Sequence, residues 1–208
     1  MRIIKLNEQS RANILADLLK RDPNNYSAYE DTVQAIVDDV RARGDEALFE
    51  YTKKFDGAEL SADNIRVTQA EIQEALSQVD PNLLAVMKKS MKNIREYHEK
   101  QKQYSWFDSK PNGTILGQKV TALSSVGVYV PGGKAAYPSS VLMNIIPAEV
   151  AGVEKIVMVP PPGKDGKVNP VTLIAAHLAG ATEVYKVGGA QAIAALAFGT
   201  KSIPRVNK

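Results

Sequence analysis

Three apolar runs in the second half of the chain, each ending at a glycine- or proline-rich corner, constrain the fold most strongly. They begin about 28 residues apart, and an apolar helical stretch follows each one. This spacing predicts a βα repeat and a parallel sheet. The ligand crevice of such a sheet lies beyond the carboxyl ends of its strands, so the three corners should meet there. The runs with their corners are Val126–Val130 before Pro131-Gly132-Gly133, Lys155–Val159 before Pro160-Pro161-Pro162-Gly163, and Glu183–Val187 before Gly188-Gly189-Ala190-Gln191.

Charge density divides the chain into two regions. Only nine residues between Thr121 and Thr200 are charged, whereas the first 120 residues carry most of the charges, interleaved with apolar residues at helical spacing. The pattern predicts an α/β fold in which a helical N-terminal region, residues 1–110, precedes the sheet region, residues 111–208. The segment Asp108–Gly113 is the best linker candidate, and Thr114–Val120 is expected to form a short β element leading into the sheet.

Capping signals place several helices. Thr68 with Glu71 predicts a capping box, and Asp80-Pro81 predicts the start of a long helix that runs to about Gln103. Apolar residues of this helix follow three- and four-residue steps, so one face packs either on its own domain or on a second subunit. These residues are Leu84, Met87, Met91, Ile94 and Tyr97.

Further helix limits are predicted in the sheet region. Ser139 and Ser140 are natural N-caps, and Pro147 should either kink the helix that follows or end it, with a restart through residues 148–153. Asn169-Pro170 should begin the next helix, which stops at Gly180. The last helix is predicted from about Gln191 to Phe198.

Composition excludes several classes of protein. The net charge is only +3 with no basic stripe, which argues against nucleic acid, and the longest mostly apolar stretch, Val187–Gly199, is too short for a membrane span. The chain has no cysteine and no secretory signal, so we expect a cytoplasmic protein. The histidines are 79 residues apart, and we expect His177 in the core and His98 on the surface. The residues therefore indicate no metal site and no catalytic group.

Two features are candidates for ligand contact. The corner Gly188-Gly189-Ala190 opens a helix, where free amides and the helix dipole suit a phosphate or carboxylate, although glycine at such a turn can serve geometry alone. Tyr129 lies at the carboxyl end of a strand, where it either contacts a ligand or packs under a helix. The residues by themselves leave these alternatives open.

Four motifs in the same order resemble histidinol dehydrogenase. They are Val126–Gly133, Tyr137–Asn144, Pro147–Gly152 and Val187–Thr200, and Arg43–Leu48 in the helical region is also similar to that family. The resemblance implies a Rossmann-like parallel sheet layer, with residues 111–208 as an incomplete NAD-binding domain. It implies NAD and zinc as cofactors, a homodimer, and oxidation of L-histidinol in two steps, through the aldehyde level, to L-histidine. Carried over by motif, it implies that Tyr129 and Gln191 contact NAD.

The chain differs from the family in length, since family members are about twice as long. The resemblance therefore implies that zinc ligands and the catalytic bases lie in the absent half, and that the chain alone is inactive. A second hypothesis is a non-catalytic α/β module for ligand binding or assembly. Because the predicted helices of the sheet region have almost no polar face, we also expect the isolated chain to self-associate.

Overall fold

The computed structural model describes residues 5, 7–19, 26–132 and 136–208. The chain forms two compact units, Met1–Ala35 and Ile36–Lys208. The first unit contains α1 (Glu8–Leu19) and the beginning of α2 (Ser27–Arg43). The second unit holds the sheet and the candidate site.

The second unit is an α/β structure with a parallel sheet, which confirms the predicted fold class. Its three-stranded sheet has the order β3-β4-β5, and all strand pairs in it are parallel. After α2, the elements are α3 (Asp45–Asp56), α4 (Gln69–Gln78), α5 (Pro81–Glu99), β1 (Trp106–Ser109), β2 (Ile115–Gln118), β3 (Ser125–Tyr129), α6 (Pro138–Val150), β4 (Lys155–Val159), α7 (Pro170–Ala179), β5 (Glu183–Val184) and α8 (Gly189–Phe198).

Most of the capping predictions are confirmed. The Thr68 hydroxyl accepts the amide of Glu71, while the Glu71 carboxylate accepts the amide of Thr68. Asp80 and Asn169 cap α5 and α7 through their side chains. Gly180 ends α7 in the left-handed conformation, with φ 97°. Local sequence fixes these ends because each cap satisfies backbone groups that the helix leaves free.

The predicted N-caps of α6 are wrong, and of the two outcomes predicted at Pro147 the structure contradicts the end and restart. The helix begins at Pro138, and Tyr137 precedes it without a side-chain capping bond, so Ser139 and Ser140 lie inside the first turn. Proline suits that position because the first turn needs no amide donor. Pro147 lies inside a helix that continues to Val150, so the helix does not end there and restart. Pro147 has no amide to donate to the helix, but burial of Ile145 and Ile146 in the core offsets that missing hydrogen bond.

The predicted linker is part of a hairpin. Asp108 and Ser109 belong to β1, which pairs antiparallel with β2, and residues 110–113 form the turn. The β element predicted within residues 114–120 therefore exists, but it pairs with β1 and not with the parallel sheet. The sequence pattern missed this because Lys110-Pro111-Asn112-Gly113 reads equally well as a hairpin turn.

The third predicted strand is shorter than its apolar run. β5 ends at Val184, and Tyr185 forms an isolated antiparallel bridge with Arg66. The amide of Val67 donates to the carbonyl of Val184, and the amide of Lys186 donates to the carbonyl of Ile65. A segment before α4 thus covers the outer edge of the sheet at β5, which keeps that edge from being open.

Helices cover both faces of the sheet. Helices α6 and α7 lie on one face, where α4 and α5 pack against them, and α3 and α8 pack together against the other face. The apolar stripe of α5 packs on the core of its own unit through Leu84, Met87, Met91 and Ile94. Tyr97, also in the predicted stripe, remains 63% exposed. Helices α4 and α5, before residue 110, share one core with the sheet region after it. The division into domains at residue 110 stays a prediction.

Candidate functional site

The three glycine- and proline-rich corners meet around Pro161. A Cβ added to Gly132 would lie 2.4 Å from Cγ of Pro161, and one added to Gly188 would lie 2.5 Å from its Cβ. Only glycine lets the first and third corners approach the second so closely. The predicted convergence at the carboxyl ends of the strands is therefore confirmed by contact.

Gln191 is the most unusual polar residue near these corners. Its side chain lies in the first turn of α8 and is almost completely buried, at 1% exposure, yet neither Oε1 nor Nε2 has a hydrogen-bond partner. A Cβ added to Gly189 would lie 2.5 Å from Oε1, and the φ of Gly189 is +65°. The amide therefore lies directly over the glycine corner. A buried amide without partners costs free energy, which makes Gln191 a candidate for contact with a ligand.

Tyr129 lies at the same end of the sheet and on the same face. It is the last residue of β3, and Gly127, two residues earlier, faces Leu196 of α8, 2.7 Å from the position of an added Cβ. Side chains two residues apart on a strand share a face, so Tyr129 points to the α8 side. At 38% exposure it is open to solvent. The structure thus brings Tyr129 and Gln191 to one end and one face, and their contact with NAD stays a prediction.

The end of β3 is also the switch point of the topology. The chain proceeds from β3 through β4 to β5 with α6 and α7 on one face, and then α8 returns it along the opposite face. On its return it runs beside β3, where the amide of Asn207 donates to Ser125 and the amide of Gly127 donates to Lys208. Ligands of open α/β sheets bind at such a reversal, which independently selects the end of β3.

A cavity of about 440 Å³ adjoins the corners on the side of α4 and α7. Pro131, Pro161 and Leu173 contribute apolar walls, and Glu74 with Lys167 contributes a charged pair at 2.6 Å. The carboxylate of Glu74 holds the pKa of Lys167 above its ordinary value. Space of this size is in the range that small-ligand sites use.

Asp56 is a second buried polar group that the sequence did not reveal. It ends α3, and its Oδ2 atom is buried without a partner, so loss of solvation raises the pKa of this carboxyl. Helix α3 runs antiparallel to α8, because Asp45 at its start bonds Ser202 just beyond the end of α8. Asp56 therefore lies toward the carboxyl end of the sheet. Only its burial, and no sequence motif, marks it.

The histidines do not form a metal centre. His177 is exposed on α7, so its predicted place in the core is wrong, because it occupies the outward side of the helix. His98 is partly buried, and its Nδ1 lies 2.6 Å from Oε1 of Gln101. Among the residues that the structure describes, no group of three or more His, Cys, Asp or Glu side chains could hold a metal ion. The described part of this chain therefore does not fit a zinc site.

The glycine corner fits part of a dinucleotide. The buried side-chain amide of Gln191 has no hydrogen-bond partner, the backbone of Gly189 is exposed, and α8 begins there with the positive end of its dipole. No described helix is long and apolar enough to cross a membrane.

Fold and site define an α/β protein of the Rossmann-like class with its crevice at the switch point of a parallel sheet. A family model described as histidinol dehydrogenase matches residues 19–208, and the chain belongs to that family.

Named relatives agree with this assignment. Histidinol dehydrogenase of Bacillus subtilis is 59% identical over 177 residues, which are 85% of this chain and 41% of that protein. The enzyme of Clostridium acetobutylicum is 50% identical over all 208 residues and 48% of its own length. A crystal structure of histidinol dehydrogenase from Elizabethkingia anophelis matches with a TM-score of 0.81 at 36% identity, over 86% of this chain and 41% of that one. The chain spans less than half the length of these relatives.

Proposed function

We propose that the chain carries part of the NAD site of a histidinol dehydrogenase, with the cofactor seated at the carboxyl end of β3 against Tyr129 and Gln191. The observation that carries this proposal is the buried, unpartnered amide of Gln191 above a glycine corner. A ligand with hydrogen-bonding groups at that position would satisfy both atoms of the amide.

Each group at the carboxyl end of the sheet has a distinct role in the proposed binding of NAD. The first-turn amides of α8 and its dipole attract a phosphate of the cofactor. Tyr129 offers an aromatic face to a ring of the nucleotide. When bound, NAD would supply the acceptor for a hydride. The chain's own residues bind and orient it, and none of the described side chains is proposed to move a proton.

The activity of the whole protein is proposed from the family. It would oxidise L-histidinol with NAD through the aldehyde level to L-histidine, as a cytoplasmic, zinc-dependent homodimer that contacts neither nucleic acid nor a membrane. The zinc ligands and catalytic bases would lie in the portion of the relatives that this chain does not match. The catalytic assembly is therefore proposed to require that portion.

Titration calorimetry with NAD tests the proposal on three proteins. Gln191→Leu keeps the size of the side chain and removes its hydrogen bonds, so it should weaken NAD binding at least about tenfold. Gln101→Leu makes the same chemical change at an exposed position after α5 and should leave binding unchanged. Equal NAD affinity in the original chain and Gln191→Leu would contradict the assignment. If NAD binds to neither the chain nor a longer protein that contains it, the non-catalytic module becomes the better hypothesis.

A further inference from the structure

Two side chains hold all of the buried polar atoms that lack a hydrogen-bond partner among the residues that the structure describes. They are Asp56, through Oδ2, and Gln191, through both atoms of its amide. Gln191 belongs to the proposed NAD site, whereas Asp56 has no role there so far. Native domains contain few atoms of this kind, so two such residues in one region would mark that region for ligand binding.

Asp56 lies level with the start of α8. Helices α3 and α8 pack against each other and run antiparallel, because Oγ of Ser202, just beyond α8, donates to Asp45 at the start of α3 over 2.8 Å. At about 1.5 Å per residue, Asp56 is about 16 Å from Asp45 along α3. Gln191 is about 10 Å from Phe198, measured back toward the start of α8. Both side chains therefore lie toward the end of the helix pair where the glycine corner begins α8.

The side chain of Asp56 is on the inner side of α3, and the residue also reaches solvent. Leu48 and Thr52 precede it by two helical turns and one, so they share its side of the helix, and both are fully buried. Asp56 itself is partly exposed. Next to it, a Cβ added to Gly57 would lie 3.6 Å from Cγ of Lys164, which directly follows the second corner. Asp56 is thus at the carboxyl end of the sheet, where the three corners meet.

The chemistry of a carboxylate restricts the group that Asp56 can bind. An ionised carboxylate only accepts hydrogen bonds, so its partner must be a donor, and a phosphate would be repelled. Two neighbouring hydroxyls of a ribose match the two oxygens of one carboxylate, and acidic residues accept ribose hydroxyls in other dinucleotide sites. Rotation about the Cβ–Cγ bond can bring Oδ2 to the partly exposed side of the residue. A dinucleotide carries riboses beside its phosphates, so one molecule suits both Asp56 and the amides of α8.

We propose that Asp56 is a further nucleotide-binding residue, which accepts hydrogen bonds from the two hydroxyls of a ribose of the cofactor. This role rests on the proposed NAD site and adds to it the group that recognises the sugar. Both riboses of NAD carry the same diol, whereas NADP has a phosphate on the 2′-oxygen of its adenosine ribose. A carboxylate at the adenosine ribose would therefore also select NAD over NADP, by repulsion of like charges.

Titration calorimetry with NAD tests the proposal on the chain and two variants. Asp56→Asn should weaken NAD binding about tenfold, because hydrogen bonds to an ionised acceptor are roughly twice as strong as neutral ones. The direction distinguishes this cause, since NAD carries negative phosphates and the loss of a nearby negative charge alone would strengthen binding. Asp63→Asn makes the same change at an exposed aspartate and should leave binding unchanged. Asp63 lines a cavity with Glu183, the first residue of β5, at the opposite end of the sheet.

Titrations with ADP and NADP identify the ribose. If Asp56 binds the adenosine diol, Asp56→Asn should weaken ADP binding as much as NAD binding and lower the preference for NAD over NADP at least about tenfold. Weaker NAD binding with unchanged ADP binding would support the proposal at the nicotinamide ribose.

Unchanged or tighter NAD binding in Asp56→Asn would overturn the role of Asp56, and weaker binding in Gln191→Leu would then leave the proposed NAD site standing. Equal NAD affinity in Gln191→Leu and the original chain, or no NAD binding by the chain or by a longer protein that contains it, would instead contradict the proposed NAD site and the role of Asp56 with it.

Discussion

Lys186 and Glu71 form a hydrogen bond of 2.7 Å that joins the segment just after β5 to the first turn of α4. The Lys186 side chain is 6% exposed and that of Glu71 is 22% exposed. Glu71 also closes the capping box with Thr68. Burial opposes ionisation of Glu71, but the bonds from Lys186 and Thr68 outweigh it and lower the pKa of Glu71 from its ordinary value of 4.5. The pair therefore holds α4 against the strand that leads into the glycine corner.

Lys186→Met should lower the free energy of unfolding at neutral pH by about 2 kcal/mol, because it leaves a half-buried carboxylate without its positively charged partner. Since the folded pKa of Glu71 is the lower one, its contribution to stability is present above 4.5 and is lost as the pH falls through the folded pKa. Urea unfolding at pH values above and below 4.5 should show that the variant loses less unfolding free energy, relative to the original chain, in acid than at neutral pH. A deficit that is independent of pH would indicate lost packing instead.

Gly188→Ala should destabilise the chain by about 1–3 kcal/mol, since the new methyl group would overlap Pro161. Gly163→Ala is a matched control, because its methyl group would lie 2.8 Å from Oδ1 of Asp165, the end of a side chain that can rotate, and at an ordinary 3.6 Å from the carbonyl oxygen of Lys167. Thermal unfolding of both variants measures the difference. Equal melting temperatures would contradict tight contact between the corners.

Gln191→Leu should stabilise the ligand-free chain by about 1 kcal/mol while it weakens NAD binding, because it removes two buried polar atoms without partners. A gain in stability paired with a loss of binding is the expected sign of a residue retained for function. Chemical unfolding without NAD measures the gain in stability, and unfolding with NAD measures the loss of binding. A destabilised variant would mean that Gln191 has a structural role.

Asp56→Asn should raise the melting temperature at neutral pH, because it removes a buried charge that lacks a partner. Burial raises the pKa of Asp56 above 3.8, so the folded chain loses stability as the pH rises through that raised value. Asparagine does not titrate, and the advantage of the variant should disappear below pH 3.8. An advantage that persists in acid would refute this electrostatic cause.

The chain by itself should neither reduce NAD with L-histidinol nor bind zinc stoichiometrically. The described histidines are far apart in sequence, and the chain spans less than half the length of its relatives. Absorbance of NADH and elemental analysis of the purified chain measure the two properties. About one zinc per chain, or NADH formation above the blank, would refute the expectation.

Local signals in the sequence determined the repeating elements. The alternation of apolar runs and corners predicted the parallel strands, and the caps at Thr68, Asp80 and Asn169 were predicted correctly, because a cap depends only on residues within one turn. The motifs that place Tyr129 at the end of β3 and Gln191 in the first turn of α8 are local for the same reason. At Pro147 the local sequence leaves a kink or an end of the helix open, and the helix continues because Ile145 and Ile146 are buried, which local sequence does not report.

Tertiary structure alone decided which groups meet and which are left without partners. The contact of Gly188 with Pro161, the bond between Lys186 and Glu71, and the unpartnered amide of Gln191 join or isolate groups according to packing between distant segments. The turn at residues 110–113 was compatible with a linker or a hairpin, and strand pairing made it a hairpin. Sequence determined the elements because their hydrogen bonds are mostly local. Tertiary structure determined the geometry of the site, because the burial of a polar group and its hydrogen-bond partners depend on how those elements pack.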